Sequence, residues 1–449
     1  MSHVRTLTDA VHELRDGSVS STELTADCLE RIAAAGALGA FVRVDSELAL
    51  AAAAAADADL AAGHVRGPLH GVPLAIKDVF ATKDGPTTAN SRAIEPKWGA
   101  DVDAAAVASL RSAGAVLLGK TTTNEYACGP PDETKGFPMP RNPWHLDHTA
   151  DGSSSGSAIA VAAGLALGSI GTDTGGSVRG PAAANGITGL KPTFGLVSRA
   201  GVVPLADTLD TVGPLARSAR DCALLLAVLT GAEAPPLRNV AGLRVGVVRS
   251  GYFAPDDFDA HALGAVESFL AELVGAGAAV CPVDVPGADL AADANLVIIA
   301  SEAYGRHRDR LRARWSDYGV HTRRFLVSGA FITSSDYLAA QRFRTAFRRE
   351  TAALFRGVDV LVTPSSAAPA ARIGDQGGPQ TEGVNFDAPW NLIGLPAVAV
   401  PCGFHPSGLP LSVQVVGRPH ADYEVLSVAA AFQEDTDWHL RRSPTPTDE

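Results

Sequence analysis

A lysine at the end of one apolar run and two clusters of glycine and serine are the residues in this chain that could do chemistry together. Lys77-Asp78 closes the run Val72 to Ile76, which reads as a buried strand. Ser153 lies in the knot Gly152-Ser153-Ser154-Ser155-Gly156, and Ser177 ends Gly175-Gly176-Ser177. Such knots can turn backbone amides toward a ligand and hold hydroxyls where a reaction can use them. A serine hydroxyl is a weak nucleophile that needs a base. Lysine is a base only when neutral, so its pKa must fall from ~10.4 toward roughly 7–8. Desolvation at a buried strand end can supply that shift, on the order of 4 kcal/mol.

Two other patterns compete for these residues. The first knot fits GxSxG with Ser154 at its centre, which in an α/β-hydrolase sits on an elbow after a strand. Here His145 to Asp151 precedes it and does not read as a strand. Gly114 to Thr121 fits the phosphate-loop pattern GxxxxGK[ST] letter for letter. Its Ala-Val-Leu-Leu centre reads as a strand rather than a turn, which puts Lys120 at a strand end. Neither pattern is expected to operate.

The elements that must hold these groups follow along the chain. Thr6 to Ala35 reads as two helices with a cap near Ser20, and Leu48 to Ala62 as an alanine-rich helix. Ala104 to Ala113 is helical, Glu125 to Arg141 is loop, and Ala158 to Leu167 is a buried helix between the knots. Ile187 to Gly195 and Leu209 to Pro214 read as strands and turns, and strands are expected at Gly242 to Val248, Ala278 to Val283, Asp359 to Thr363, Ala397 to Pro401 and Leu411 to Gly417. Helices are expected at Asp221 to Thr230, His261 to Gly275, through most of Ala303 to Arg356, and at Tyr423 to Glu434. Strands alternating with helices define an α/β chain. No linker-like stretch divides it, so residues 1–449 are expected to form one domain.

Composition bounds the function. The chain has 449 residues, 46% hydrophobic and 19% charged, which suits a large folded core. A net charge of −12 argues against a nucleic-acid surface. Cys28, Cys128, Cys222, Cys281 and Cys402 are scattered, with no Cys/His cluster, so neither a metal site nor a disulfide framework is expected. The first residues lack an apolar secretory core, and no run is long enough to span a bilayer. The expectation is a cytoplasmic protein that meets neither membrane nor nucleic acid, with a homodimer as one option.

Taken in order, the motifs resemble the amidase signature family of amide hydrolases. The likeness rests on Leu69 to Asp78, Gly119-Lys-Thr, Asn142-Pro-Trp, both knots, Gly189 to Thr193, Leu209 to Pro214, Asn391 to Pro396 and Gly417-Arg-Pro. It covers nearly the whole chain. It implies an α/β fold with a large mixed β-sheet covered by helices on both faces, a helical region over 1–65, and the catalytic motifs within 66–215. It implies Ser177 as nucleophile, Ser153 on a cis peptide as the proton bridge, and Lys77 as base. Thr174, Gly175, Gly176 and Ser177 would form the oxyanion hole, and Cys128 and Ser153 would line the substrate site. Asp173 and Arg179 are expected to pair and shape the nucleophile turn. The family usually has two glycines before the bridging serine, where this chain has Asp151-Gly152.

The implied activity is hydrolysis of a carboxamide through an acyl-enzyme on Ser177, without cofactor or metal, on a small-molecule amide. The alternative is the glutaminase component of a transfer-RNA-dependent amidotransferase. Tyr126, Phe137, Met139, Arg141, Phe331 and Trp390 are pocket candidates by loop position, with Arg141 a hint of an anionic substrate.

Overall fold

The computed structural model describes residues 4–249, 251–253, 258–374 and 385–444. Among the described residues, eleven strands form one sheet: β1 (Phe41–Val44), β2 (Pro73–Lys77), β3 (Val116–Thr121), β4 (Gly168–Asp173), β5 (Thr188–Lys191), β6 (Thr211–Ala216), β7 (Arg244–Val247), β8 (Ala279–Pro282), β9 (Val360–Pro364), β10 (Ala397–Phe404) and β11 (Pro410–Gly417). Their spatial order is β1-β3-β2-β4-β6-β5-β10-β11-β9-β7-β8. β2 runs parallel to β3 and β4, and β7 parallel to β8 and β9, while the remaining pairs are antiparallel. The sheet is therefore mixed, as the α/β reading requires.

Both faces of the sheet are covered. Neighbouring residues on one strand point to opposite faces, and here they enter different apolar clusters. Leu215 and Ala399 pack with Ala158, Val161, Val178 and Ala182 on one side. Val212, Ala216, Val398 and Val400 join the main core on the other. The first side is closed by the helices Ser155–Ala162 and Arg179–Asn185. Both are built from small residues, which lets them lie close to the strands.

Most expected elements are present, with boundaries moved by a few residues. Ser20 caps the second helix, Ser21–Ala34, through a reciprocal bond with Glu23. The phosphate-loop pattern is strand β3, so its lysine serves a strand end and not a nucleotide loop. Two strands escaped the sequence pattern. β1 is only four residues long. β4, Gly-Ser-Ile-Gly-Thr-Asp, carries a single large apolar side chain, and its burial comes from helices packing on it. The arginine-rich region begins its helix at Ala288, ahead of the expected Ala303. A long helix wet on one side and buried on the other starts with alanines that carry little periodic signal.

β4 sets up the site. It is parallel to β2, with Ile76 opposite Ile170, so both strands end on the same side of the sheet. β2 therefore releases Lys77 where β4 releases Asp173 and the second Gly/Ser knot. The helix Ser155–Ala162 packs on β4 and returns the chain from the first knot to that strand.

Candidate active site

Lys77 is wholly buried. Its Nζ donates to Ser153 Oγ at 2.7 Å, Ser154 Oγ at 2.9 Å and Thr172 Oγ1 at 2.9 Å, with Thr172 O at 3.4 Å. All its hydrogen-bond partners are hydroxyls or a carbonyl. Burial pushes its pKa down to about 7, against the pull of the Asp173 and Asp210 carboxylates. A lysine in this state is neutral in a large fraction at neutral pH.

Ser153 follows a cis peptide bond from Gly152. Its carbonyl is fixed by Thr123 Oγ1 at 2.8 Å and the Asn124 N–H at 3.2 Å. A Cβ at Gly152 would meet the Asn124 side chain at 2.6 Å, so the turn needs glycine there. The two knots are tied by the Ser154 N–H, which donates to Ser177 O at 3.1 Å. Ser154 is fully buried, with its hydroxyl between Lys77 and Thr172 O. A substrate cannot reach it, and this removes the hydrolase-elbow reading. Ser177 is half-buried, which leaves the second knot the approachable serine.

The turn bearing Ser177 is moulded around Asp173. Its carboxylate accepts from the Gly176 N–H at 2.8 Å, the Val178 N–H at 3.1 Å and Asn391 Nδ2 at 2.7 Å. Arg179, also fully buried, reaches it with Nε and Nη2, both at 3.1 Å. Burial alone would raise the Asp173 pKa, but the Arg179 guanidinium and these donors hold it well below the usual carboxylate range. The Gly176 amide is thus given to Asp173. The amides of Gly175 and Ser177 donate to no described residue.

Arg179 extends the network to a residue absent from the sequence reading. Its Nη1 donates to Asp387 Oδ1 at 3.1 Å and to Gln414 Oε1 at 3.1 Å. Asp387 lies just ahead of the helix Ala388–Ile393, and its Oδ2 faces Gly176, 2.6 Å from where a Cβ would stand. Gly176 has φ +120, so glycine is required twice over. Burial pushes the Asp387 pKa up to about 7, opposed by Arg179. Ser154 was singled out from sequence only as a rival nucleophile, and Thr172 and Asp387 not at all. The contacts of Ser154 and Thr172 with Lys77 exist only once β2 and β4 are side by side. Asp387 had a faint signal, an acid four residues before the Asn391 to Pro396 motif.

The pocket candidates fare unevenly. Cys128 is buried, and its thiol donates to Glu125 O, so lining of the site by Cys128 rests on the resemblance alone. Tyr126 packs in the core against His307 and Tyr318. Trp390 is fully buried and stacked on Phe253, a core residue rather than a pocket wall. Phe331 is 81% exposed on the surface. Phe137 is half-buried, Met139 backs against Gly39, and Arg141 donates to Leu146 O. The described residues contain no group of three metal-ligating side chains and no helix long and apolar enough to cross a membrane.

A buried lysine, a serine on a cis peptide and a second serine in a carboxylate-moulded turn thus stand at the ends of β2 and β4 on a mixed α/β sheet. Residues 23–426 match the Amidase family model, and the chain belongs to that family. It is 40% identical to the A subunit of glutamyl-tRNA(Gln) amidotransferase from Roseiflexus sp. (strain RS-1), covering 99% of each chain. Among solved structures it is similar to an amidase at 34% identity and TM-score 0.89, covering 96% of this chain and all of the other. It is also similar to the peptide amidase of Stenotrophomonas maltophilia at 30% identity and TM-score 0.82, covering 98% of each.

Proposed function

We propose that the chain hydrolyses the C–N bond of a carboxamide through an acyl-enzyme on Ser177. The observation that carries this reading is a fully buried Lys77, 2.7 Å from Ser153 Oγ, with no carboxylate among its hydrogen-bond partners. Ser177 Oγ attacks the carbonyl carbon while its proton passes to Ser153 Oγ and the Ser153 proton passes to Lys77 Nζ. The carbonyl oxygen becomes an oxyanion facing the Gly175 and Ser177 amides, each such donor contributing about 3–4 kcal/mol to the transition state. As the tetrahedral species collapses, the proton returns through Ser153 to the nitrogen, which leaves as ammonia or an amine. Water then attacks the ester, and the same relay restores the Ser177 hydroxyl and releases the acid.

Replacing Ser177 by alanine tests this. Turnover of small primary amides should vanish, and mass spectrometry of the unaltered enzyme should find the acyl group on the peptide bearing Ser177. Appreciable activity in that variant would move the nucleophile elsewhere.

A second reading is favoured by the relatives, whose names as amidotransferase A subunits match this chain over its full length. In that reading the amide is glutamine, and the ammonia passes to a partner protein acting on glutamyl-tRNA(Gln). The chemistry at Ser177 is the same. Turnover restricted to glutamine and dependent on an added partner would establish it, whereas turnover of several simple amides by the chain alone supports the first reading.

A further inference from the structure

Three peptide planes join Thr174 to Ser177. A trans peptide points its C=O and its N–H in opposite directions, so whatever holds the carbonyl also aims the amide. Among the described residues the Gly152–Ser153 bond is the one cis peptide, so these three planes are trans. Thr174 O meets Asn295 Nδ2 at 3.5 Å, Gly175 O accepts from Asn385 Nδ2 at 3.0 Å, and Gly176 O accepts from the Gly180 N–H at 2.8 Å. In the middle plane the carbonyl lies on Asn385 and the opposite N–H, that of Gly176, lands on Asp173. The outer planes carry the Gly175 and Ser177 amides, which donate to no described residue.

The two outer planes are not held equally. The carbonyl behind the Ser177 amide is fixed by a short bond, whereas the contact of Thr174 O with Asn295 is at the limit of a hydrogen bond. The tight hold on Thr174 is on its side chain. Thr174 is buried, and its Oγ1 donates to Asp210 Oδ1 at 2.7 Å. Asp210 is itself fixed: Oδ1 also accepts from the Ala206 N–H at 3.0 Å, and Oδ2 from the Leu205 N–H at 2.9 Å. It stands just ahead of β6, whose Thr211 lies opposite Asp173 in register. The loop before it is tied to the helix Ala288–Ala313, since Thr208 donates to Glu302 through its N–H at 3.0 Å and its Oγ1 at 2.7 Å. The same helix bears Asn295, so one element backs Thr174 at the carbonyl and, through the loop, at the hydroxyl.

We infer that Asp210 is a positioning residue for amide hydrolysis: by gripping the Thr174 hydroxyl it aims the Gly175 N–H at the oxygen of the scissile carbonyl. Asp210 acts through Thr174 and touches no reacting atom. A hydrogen bond weakens steeply as its donor turns off line, and the oxygen takes on its charge only in the transition state. The grip therefore serves the chemical step and not the binding of the amide. The inference rests on the amidase reading above and deepens it.

Thr174→Val keeps the branched side chain and removes the donor. On butyramide its kcat should fall about tenfold or more with KM changed by less than about twofold, the pattern of an interaction made only in the transition state. Butylboronic acid, which adds to a serine hydroxyl as a tetrahedral adduct, should inhibit more weakly by a similar factor. Thr174→Ser keeps the hydroxyl and should return kcat to within about threefold of the unaltered enzyme. In an Asp210→Ala background Thr174→Val should add less than about threefold, because both changes remove one bond. Unchanged kcat and boronate affinity in Thr174→Val, a loss confined to KM, or a full loss in Thr174→Ser overturns the inference, as do multiplying losses in the double variant. Should Asp210→Ala fail to fold, the two Thr174 variants decide alone. Where butyramide is not turned over, the rate of Ser177 acylation by p-nitrophenyl butyrate reads the same order. Absence of that acylation in the unaltered enzyme would instead sink the amidase reading itself.

Discussion

Lys77 and Lys120 are two buried lysines on adjacent parallel strands, and their surroundings give them opposite jobs. They stand on β2 and β3, one register step apart, with Ile76 opposite Lys120 and Lys77 opposite Thr121. Lys120 meets a carboxylate, Asp78 Oδ1 at 3.0 Å, together with Phe80 O at 2.6 Å and Thr87 Oγ1 at 2.8 Å. Burial lowers its pKa, and Asp78 pulls it back toward the charged form. Lys77 has the same depth of burial but only neutral oxygens within hydrogen-bonding reach. Burial without a paired carboxylate suits Lys77 to the base role proposed for it, and burial with one makes Lys120 a clamp. The clamp ties β3 to the loop after β2, which fixes the strand end from which Lys77 projects.

Removing the base should have the largest effect. Lys77→Met should lower kcat/KM by about 10⁴-fold or more, the scale seen when one member of a catalytic relay is deleted. Thermal unfolding should show the fold retained, since the amine it removes has no ion-pair partner. Breaking the clamp comes next. Asp78→Asn leaves the Lys120 ammonium buried without its counter-ion and should cost about 3–5 kcal/mol of stability. Urea unfolding reads that loss, and the fraction still folded should keep most of its activity per molecule.

A third substitution turns one lysine into the other. Thr172→Asp would put a carboxylate beside Lys77 Nζ, where Thr172 Oγ1 now sits at 2.9 Å. The ammonium form is then favoured, and the pH needed for activity should rise by roughly 1–3 units. Activity measured near neutrality falls accordingly and recovers in alkali. Thr172→Val gives the smallest change. It removes an oxygen that stabilises the ammonium, so the activity limb should move to lower pH, with the alkaline plateau changed by less than about tenfold.

The same contrast marks what the sequence could disclose. Lys77, Ser153 and Ser177 stand in motifs with distinctive glycines, and most strands and helices follow from apolar runs, caps and turn residues. β4 did not, because its burial comes from helices packing on it rather than from its own side chains. The two lysines looked alike along the chain, since each ends an apolar run. Only the pairing of β2 with β3 and β4 shows that Asp78, the residue right after Lys77, turns to serve Lys120 instead. The contacts of Ser154 and Thr172 with Lys77 were hidden for the same reason. Asp387 lies more than 200 residues beyond Arg179 and meets it through the packing of the helix Ala388–Ile393.

The most direct test of this account is the pH dependence of kcat/KM on a neutral amide such as butyramide, which reports ionisation of the free enzyme. Neutral Lys77 can accept the proton and protonated Lys77 cannot. With its pKa brought to about 7 by burial, activity should climb through a single ionisation near that pH and level off above it. A profile flat from about pH 5 to 9, or a limb near the ordinary lysine value of ~10.4, would contradict the neutral-lysine base.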